Sequence, residues 1–407
     1  MGACDRSQLE GLDLTAGAQE RRPPLLPNVR VFLISLAHGI NDMYAAFLPT
    51  FIPYIKASLG LDYALSGRLS MIVGFCHIIG QPVIGCLSDR LSRPWLIVIG
   101  PILCGTGAVM IPNAGSYGGA LFAAGLWGIG SALYHPQGSG GVGYVSSPEK
   151  LPASLTLFNI MGTLGVLVSP VVAIATVKCL GYEGLWFTLV PPLLLAPLLW
   201  FCVPTLQAPE GIAPSSREGF LNGFFSALAV LFPLWGLAFV RDFVFQGVRF
   251  FLPLKVAVQG GSLESVGTVV FCITLGGSLA MVPAERVSKR LGFKRIMLLS
   301  MILGSLFLTS AALSKGALSF ALYIAGVSCI YSTMPLTVVA AQTLMPQARS
   351  AASAIVMGLA WGTANAALYP AGGFADRFGI YSTLLLLGLL PLAGLVFFLS
   401  PIFRRLK

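Results

Sequence analysis

Long apolar stretches separated by short polar breaks set the pattern of the chain. Twelve can be marked, approximately over residues 29–54, 63–91, 95–111, 117–145, 151–179, 183–203, 223–256, 262–291, 295–313, 317–344, 348–376 and 380–403. Each is close to or above the ~20 residues that an α-helix needs to cross the hydrocarbon core. Runs this long and continuous exclude an outer-membrane barrel, whose strands are short and alternate. The pattern predicts an all-α membrane protein with twelve transmembrane helices. Their division is set by a hydrophilic stretch rich in Pro, Ser and Glu. The expected order is a cytoplasmic tail over 1–28, a six-helix bundle over 29–204, a cytoplasmic linker over 205–222 and a second six-helix bundle over 223–407.

Composition sharpens this. Of 407 residues, 56% are hydrophobic and only 10% charged, against roughly 25% charged in a soluble domain. A soluble enzyme or a disordered scaffold is excluded. The tail contains no apolar core of a signal peptide, so no cleaved leader is expected. The chain carries 25 Lys and Arg against 15 Asp and Glu. These bases punctuate the apolar segments and form no stripe with exposed aromatics, which argues for membrane orientation and against nucleic acid. With the N-terminus inside, 17 bases fall on the inner side and 6 on the outer, the other two being Arg241 and Arg249 within the seventh segment. That asymmetry predicts a multi-pass protein of the plasma membrane (the inner membrane in a bacterium) with both termini cytoplasmic. Eight cysteines without a CxxC pair read as buried small hydrophobes.

An internal repeat is visible. A shift of 200 residues places Asp42 on Asp242, Phe51 on Phe251, Pro53 on Pro253, Ala57 on Ala257, Gly60 on Gly260 and Gly67 on Gly267, and brings Ser88 onto Ser288 without a gap. Two parallel, pseudo-symmetric six-helix bundles are a transporter architecture with the substrate between them.

The segment Gly85-Cys86-Leu87-Ser88-Asp89-Arg90-Leu91-Ser92-Arg93 resembles the G-x-L-x-D-R-x-G-R loop of the major facilitator superfamily, with Ser92 where glycine is usual. Gly85, Asp89, Arg90 and Arg93 are accordingly gating candidates. Gly85 permits close helix approach, and Asp89 can face a helix N-terminus or an Arg. The plainer reading is a solvated turn obeying the inside-positive bias. Ser35 through Asp42 with Leu48-Pro49, Gly80-Gln81-Pro82-Val83-Ile84-Gly85, Tyr134-His135-Pro136-Gln137-Gly138, and the endings Gly181–Trp186 and Gly373–Gly379 look like the fosmidomycin-resistance branch. This resemblance implies a proton-driven exporter of small, often anionic drugs, hence antibiotic resistance. Two positions depart from drug antiporters: Ala124 stands where many have Arg, and Ser169-Pro170 replaces Gly-Pro.

Ionisable residues at membrane depth carry the candidate chemistry, because a charge near the bilayer centre costs on the order of 3 kcal/mol or more. Asp42 lies twelve residues past Arg30, about 18 Å along a helix, with His38 one turn away on the same face. The pair is a proton-handling candidate; the alternative is a hydrogen bond pinning the helix. Asp242, Gln246 and Arg249 share a face at i, i+4, i+7, and Arg241 sits about 100° round. Pairing of Asp242 with Arg249 would leave Arg241 free for an anion, as a guanidinium grips phosphonate or carboxylate oxygens; a structural lock is the alternative. His135, before Pro136 and a glycine cluster, joins the proton candidates beside Asp242, or else bonds a carbonyl freed by the proline. Asn41, Tyr44, Trp361 and Asn365 complete the substrate-binding candidates. His77 and Gln81 lie one turn apart.

No Walker A, HExxH or G-x-S-x-G sequence occurs, and no cofactor is expected. Three histidines are too few for a His-rich metal site. The reading is a non-enzymatic secondary transporter working by alternating access, with proton-coupled export of a small, anionic drug or metabolite. Protons, a small-molecule substrate and the lipid bilayer are its partners, and a monomer is expected. The alternatives are proton-coupled uptake of an organic anion or sugar-like solute, and a non-transporting sensor or membrane enzyme.

Overall fold

The computed structural model describes residues 28–88, 93–147, 149–203, 217–345 and 352–404. Its helices are α1 (Val29–Ser58), α2 (Tyr63–Ser88), α3 (Trp95–Met110), α4 (Tyr117–Val145), α5 (Leu151–Leu180), α6 (Glu183–Cys202), α7 (Arg217–Val258), α8 (Leu263–Leu291), α9 (Phe293–Leu313), α10 (Gly316–Leu344), α11 (354–378) and α12 (Ile380–Leu399). Among the described residues there is no strand. An apolar solvent gives backbone polar groups no partner, and a helix pairs them within the segment. Nine of these helices are long and apolar enough to cross a membrane. The exceptions are α3, with 16 residues, α4, diluted by glycine and polar residues, and the interrupted α11.

Asparagine and serine start several helices. Asn28 accepts Arg30 N at 3.0 Å and Ser116 accepts Gly119 N at 3.2 Å, satisfying donors the helix leaves free. α7 begins at Arg217, so the end of the expected linker is already helical.

The repeat is repeated in space. After α1, Gly60 N bonds Ala57 O and Leu61 N bonds Lys56 O; after α7, Gly260 N bonds Ala257 O and Gly261 N bonds Val256 O. Gly60 and Gly260 take φ of 62° and 80°, the left-handed cap that glycine adopts without a Cβ clash.

Among the first six helices, α1 packs on α5, α2 on α4, and α3 on α4 and α6. Among the last six, α9 packs on α10 and α12, α8 on α10, and α7 on α11 and α12. The two groups meet where α2 crosses α11, α5 crosses α8, and α1 touches α7 and α8. Small residues allow the α2–α11 contact: Gly67 lies on the Leu368 carbonyl, Gly74 on Gly362, and Gly372 on Tyr63, with no room for a Cβ. At the end holding the α1–α2 turn, Asp376 of α11 accepts Tyr63 N at 2.8 Å and Ala64 N at 2.9 Å from α2. Lys178 of α5 meets Glu264 of α8 there at 2.7 Å.

Two helices break near the centre of the fold. α1 passes through a 3₁₀ turn at Tyr44–Ala46, which begins two residues after Asp42. The apolar pattern predicts one continuous helix over 348–376, whereas α11 contains a π-helical turn at Ala354–Leu359 and a second break at Ala367. A π-turn adds a residue without changing the apolar count, so composition does not reveal it.

Candidate functional site

Glycines bring α5 against α1: a Cβ on Gly39 would lie 2.9 Å from Met161 O. The approach lets His38 reach across, its Nδ1 donating to Phe158 O at 2.8 Å. Its other nitrogen, Nε2, lies 3.2 Å from Asp42 Oδ2. From α4, His135 donates Nδ1–H to Ser131 O at 2.8 Å and sets Nε2 3.3 Å from Asp42 Oδ1. Asn41 Nδ2 donates to the same Oδ1 at 3.1 Å.

A carbonyl only accepts, so both Nδ1 atoms carry protons. That leaves each Nε2 lone pair aimed at a carboxylate lone pair. Such contacts are attractive only when a proton lies between the nitrogen and the oxygen. The same side chains offer two imidazole nitrogens and a carboxylate oxygen within 4.8 Å of one another, a set that could hold a metal ion. Two of the three histidines and one aspartate make this set, which is therefore not the His-rich site that their number argues against. No fourth His, Cys, Asp or Glu joins them among the described residues.

The Tyr134–Gly138 segment has a contact for each of four residues. Tyr134 Oη donates to Ile34 O at 2.6 Å, His135 faces Asp42, and Gln137 Oε1 accepts Leu96 N and Ile97 N at 2.9 and 3.1 Å, capping α3. Gly138 leaves room for the Tyr134 ring. One nitrogen of His135 takes a helix carbonyl and the other faces the carboxylate; the carbonyl is that of Ser131, not that of Ala132, the one a proline at 136 leaves without its helical donor.

On α7 the pairing is the reverse of the sequence expectation. Arg241 holds Asp242 through Nε at 2.8 Å and Nη2 at 3.1 Å, and both residues are buried. Nη1 donates to Thr337 Oγ1, and Nη2 reaches Val356 O at 3.4 Å in the π-turn of α11. Arg241 is therefore not the free cation. Arg249 is 5% exposed, and among the described residues it forms no ion pair. Its Nη1 donates to Gln246 Oε1 at 3.1 Å, while Nε and Nη2 are buried without a hydrogen-bond partner. The physical reason is reach: adjacent side chains on α7 close a planar two-point contact that positions seven apart do not.

Arg249, Gln246, Trp361 and Asn365 line one cavity with Trp127, Ser70, Leu48 and Phe250. Its volume is about 20 Å³, room for a water molecule. Asn41 instead serves the Asp42 carboxylate, and Tyr44 lies in the core with its hydroxyl on Thr188 O at 2.6 Å; neither lines this cavity. Leu48, from the Leu48-Pro49 pair, lines it, as does Ser70, which has no signal in the sequence beyond its helix.

His77 accepts from Gln81 Nε2 at 3.2 Å through Nδ1, and its Nε2 is buried without a partner. Its ring centroid lies 6.3 Å from that of His135 and 4.8 Å from Trp361. All three histidines of the chain thus stand in one neighbourhood. Of the gating candidates, Asp89 and Arg90 lie outside the described residues and Gly85 lies in the last turn of α2. Arg93 accepts Gln137 Nε2 on its carbonyl at 3.1 Å and stacks over Trp200 at 5.7 Å.

A sequence model described as the Major Facilitator Superfamily matches residues 34–368. The chain is 23% identical over 386 residues to the uncharacterized MFS-type transporter YfnC of Bacillus subtilis (strain 168), covering 93% of this chain and 94% of that protein. It is 29% identical over 157 residues, 38% of each chain, to the fosmidomycin resistance protein of Escherichia coli (strain K12). A bacterial homolog of the human lysosomal transporter Spinster, inward-facing and occupied, superposes with a TM-score of 0.75 at 14% identity, over 93% of this chain and 96% of that one.

Proposed function

The chain belongs to the Major Facilitator Superfamily, a family of multi-pass membrane transporters and not of enzymes, and on that premise we propose that it exports a small organic anion in exchange for protons. The observation that carries this reading is a pair of unlike sites, one in each group of helices, the first half-buried and the second buried. Asp42 with His38 and His135 needs a proton, and Arg249 has guanidinium donors without a partner. An unpaired buried charge costs several kcal/mol. A ligand that supplies the opposite charge during transport offsets that cost. Protonation of the Asp42 cluster favours one orientation of the two bundles and the anion favours the other, and coupling follows from that difference.

The division into bundles over 29–204 and 223–407, with a tail over 1–28 and a linker over 205–222, belongs to the same proposal. So do cytoplasmic termini, from the distribution of basic residues, and a monomeric state. Fosmidomycin, for which one relative is named, is a phosphonate and a fitting first probe of an Arg249 site.

Everted vesicles test the direction. With an acid interior, an exporter exchanging for protons accumulates the phosphonate inside the vesicle, and uptake coupled in the same direction as protons depletes it. Resistance profiling of a host lacking its own exporters, against phosphonates and other small antibiotics, tests the substrate class. Proton-coupled uptake of an organic anion is the second reading, because the same two sites serve either direction. Ligand recovered chemically altered, or binding without flux in proteoliposomes, would overturn both.

A further inference from the structure

Trp361 of α11 stands between two networks. On one side its indole lines the Arg249 cavity. A hydrogen-bonded chain ties it to that guanidinium: Arg249 Nη1 to Gln246 Oε1 at 3.1 Å, Gln246 Nε2 to Asn365 Oδ1 at 3.1 Å, and Asn365 Nδ2 to the Trp361 carbonyl at 2.9 Å. On the other side the ring lies 4.8 Å from His77 of α2, which is 6.3 Å from His135, whose Nε2 is 3.3 Å from Asp42. His77 is 6% exposed and its Nε2 has no partner.

We infer that Trp361 is a positioning residue through which occupation of the Arg249 cavity is communicated to the Asp42 cluster, with His77 as its contact on α2. The inference rests on the proposed reading of that cluster as the proton site. The cavity has room for a water molecule, so a larger ligand must move a lining side chain or part the helices. Trp361 is the large side chain placed to move, because it follows the π-turn Ala354–Leu359. Passing a π-turn by one residue along a helix rotates the positions it crosses by about 100°. The turn is held by Val356 O on Arg241 and faces α2 through Gly358, which lies against Gln81. In this inference the π-turn segment of α11 is the element that changes packing when the cavity fills, the kind of two-state element through which separated sites are coupled. When the indole leaves His77, the unpartnered Nε2–H gains room for a water or a ligand oxygen. The surroundings of His135 and Asp42 change with it.

A double-mutant cycle on the purified full chain tests this, with phenylphosphonate as the anion probe and its dissociation constant as the readout. In the wild-type background, Asp42→Asn is expected to shift the constant by about fivefold or more, the range of ordinary coupling between sites. In the Trp361→Ala background the shift is expected to fall below about twofold, and Trp361→Phe, which keeps an aromatic face, is expected to restore it. A merely structural Trp361 would lower the melting temperature and leave the Asp42→Asn shift unchanged, and that result overturns the inference alone. A shift absent from every background overturns the proton reading as well, and failure of the wild type to bind the probe overturns the anion reading of Arg249.

Discussion

Arg241 holds the carboxylate of its chain neighbour, Asp242, at 2.8 and 3.1 Å, with its remaining nitrogen on Thr337. The pair closes on itself inside the C-terminal group of helices and frees Arg249, two turns away, from any carboxylate among the described residues. The two arginines therefore have opposite roles.

Arg241→Gln is expected to strand a buried carboxylate and to destabilise the fold by about 3–5 kcal/mol. Arg249→Gln should leave folding near wild type and weaken anion binding about tenfold or more. Thermal melting and probe affinity, measured on both variants, check this. Equal effects on both readouts would show that the roles are not divided.

Asp42→Asn keeps the size of the side chain and removes the charge that both imidazoles face. Accumulation driven by a proton gradient is expected to be lost, while counterflow of labelled against unlabelled anion continues. Loss of both to the same degree would count against a proton-specific role.

Gly162→Ala reaches the same cluster from behind. A Cβ there would lie 2.5 Å from the His38 ring, pushing the imidazole off the Phe158 carbonyl. The expected result is a transport defect like that of His38→Ala, with a loss of stability of about 1–3 kcal/mol from overpacking. A Gly162→Ala variant with intact gradient-driven transport would argue that His38 does not need its present seat.

Asp376→Ala removes the acceptor for two N–H groups at the start of α2, across the contact between the two groups of helices. A cap of this kind is worth about 0.5–2 kcal/mol, enough to shift a balance between open and closed forms severalfold. The variant is expected to let a membrane-impermeant thiol reagent, added at the α1–α2 turn side, label Ser70→Cys faster than in the Asp376 background. Unchanged labelling would mean that the α2–α11 contact stays closed without this carboxylate.

The apolar pattern alone located the helices to within about six residues at their ends, though not the breaks inside α11, and the shift of 200 anticipated the shared geometry of the turns at Gly60 and Gly260. Asp42 and His38 were legible as partners because one helical turn separates them. His135 was legible as a candidate but not as the second nitrogen on Asp42, since α4 reaches α1 only after both fold. The role of Gln137 as the cap of α3 had no local signal, and neither did the orphaned nitrogen of His77.

What the chain determined by itself was therefore whatever is summed along a single segment: helices that satisfy their own backbone, basic residues that mark their ends, and a repeated glycine cap. What only the tertiary structure decided was which buried charge meets which. Arg241 rather than Arg249 took Asp242, and Trp361 came to lie between the Arg249 cavity and His77. A buried ion or ring is placed by distances of a few ångströms between different helices, and those distances exist only once the helices have packed.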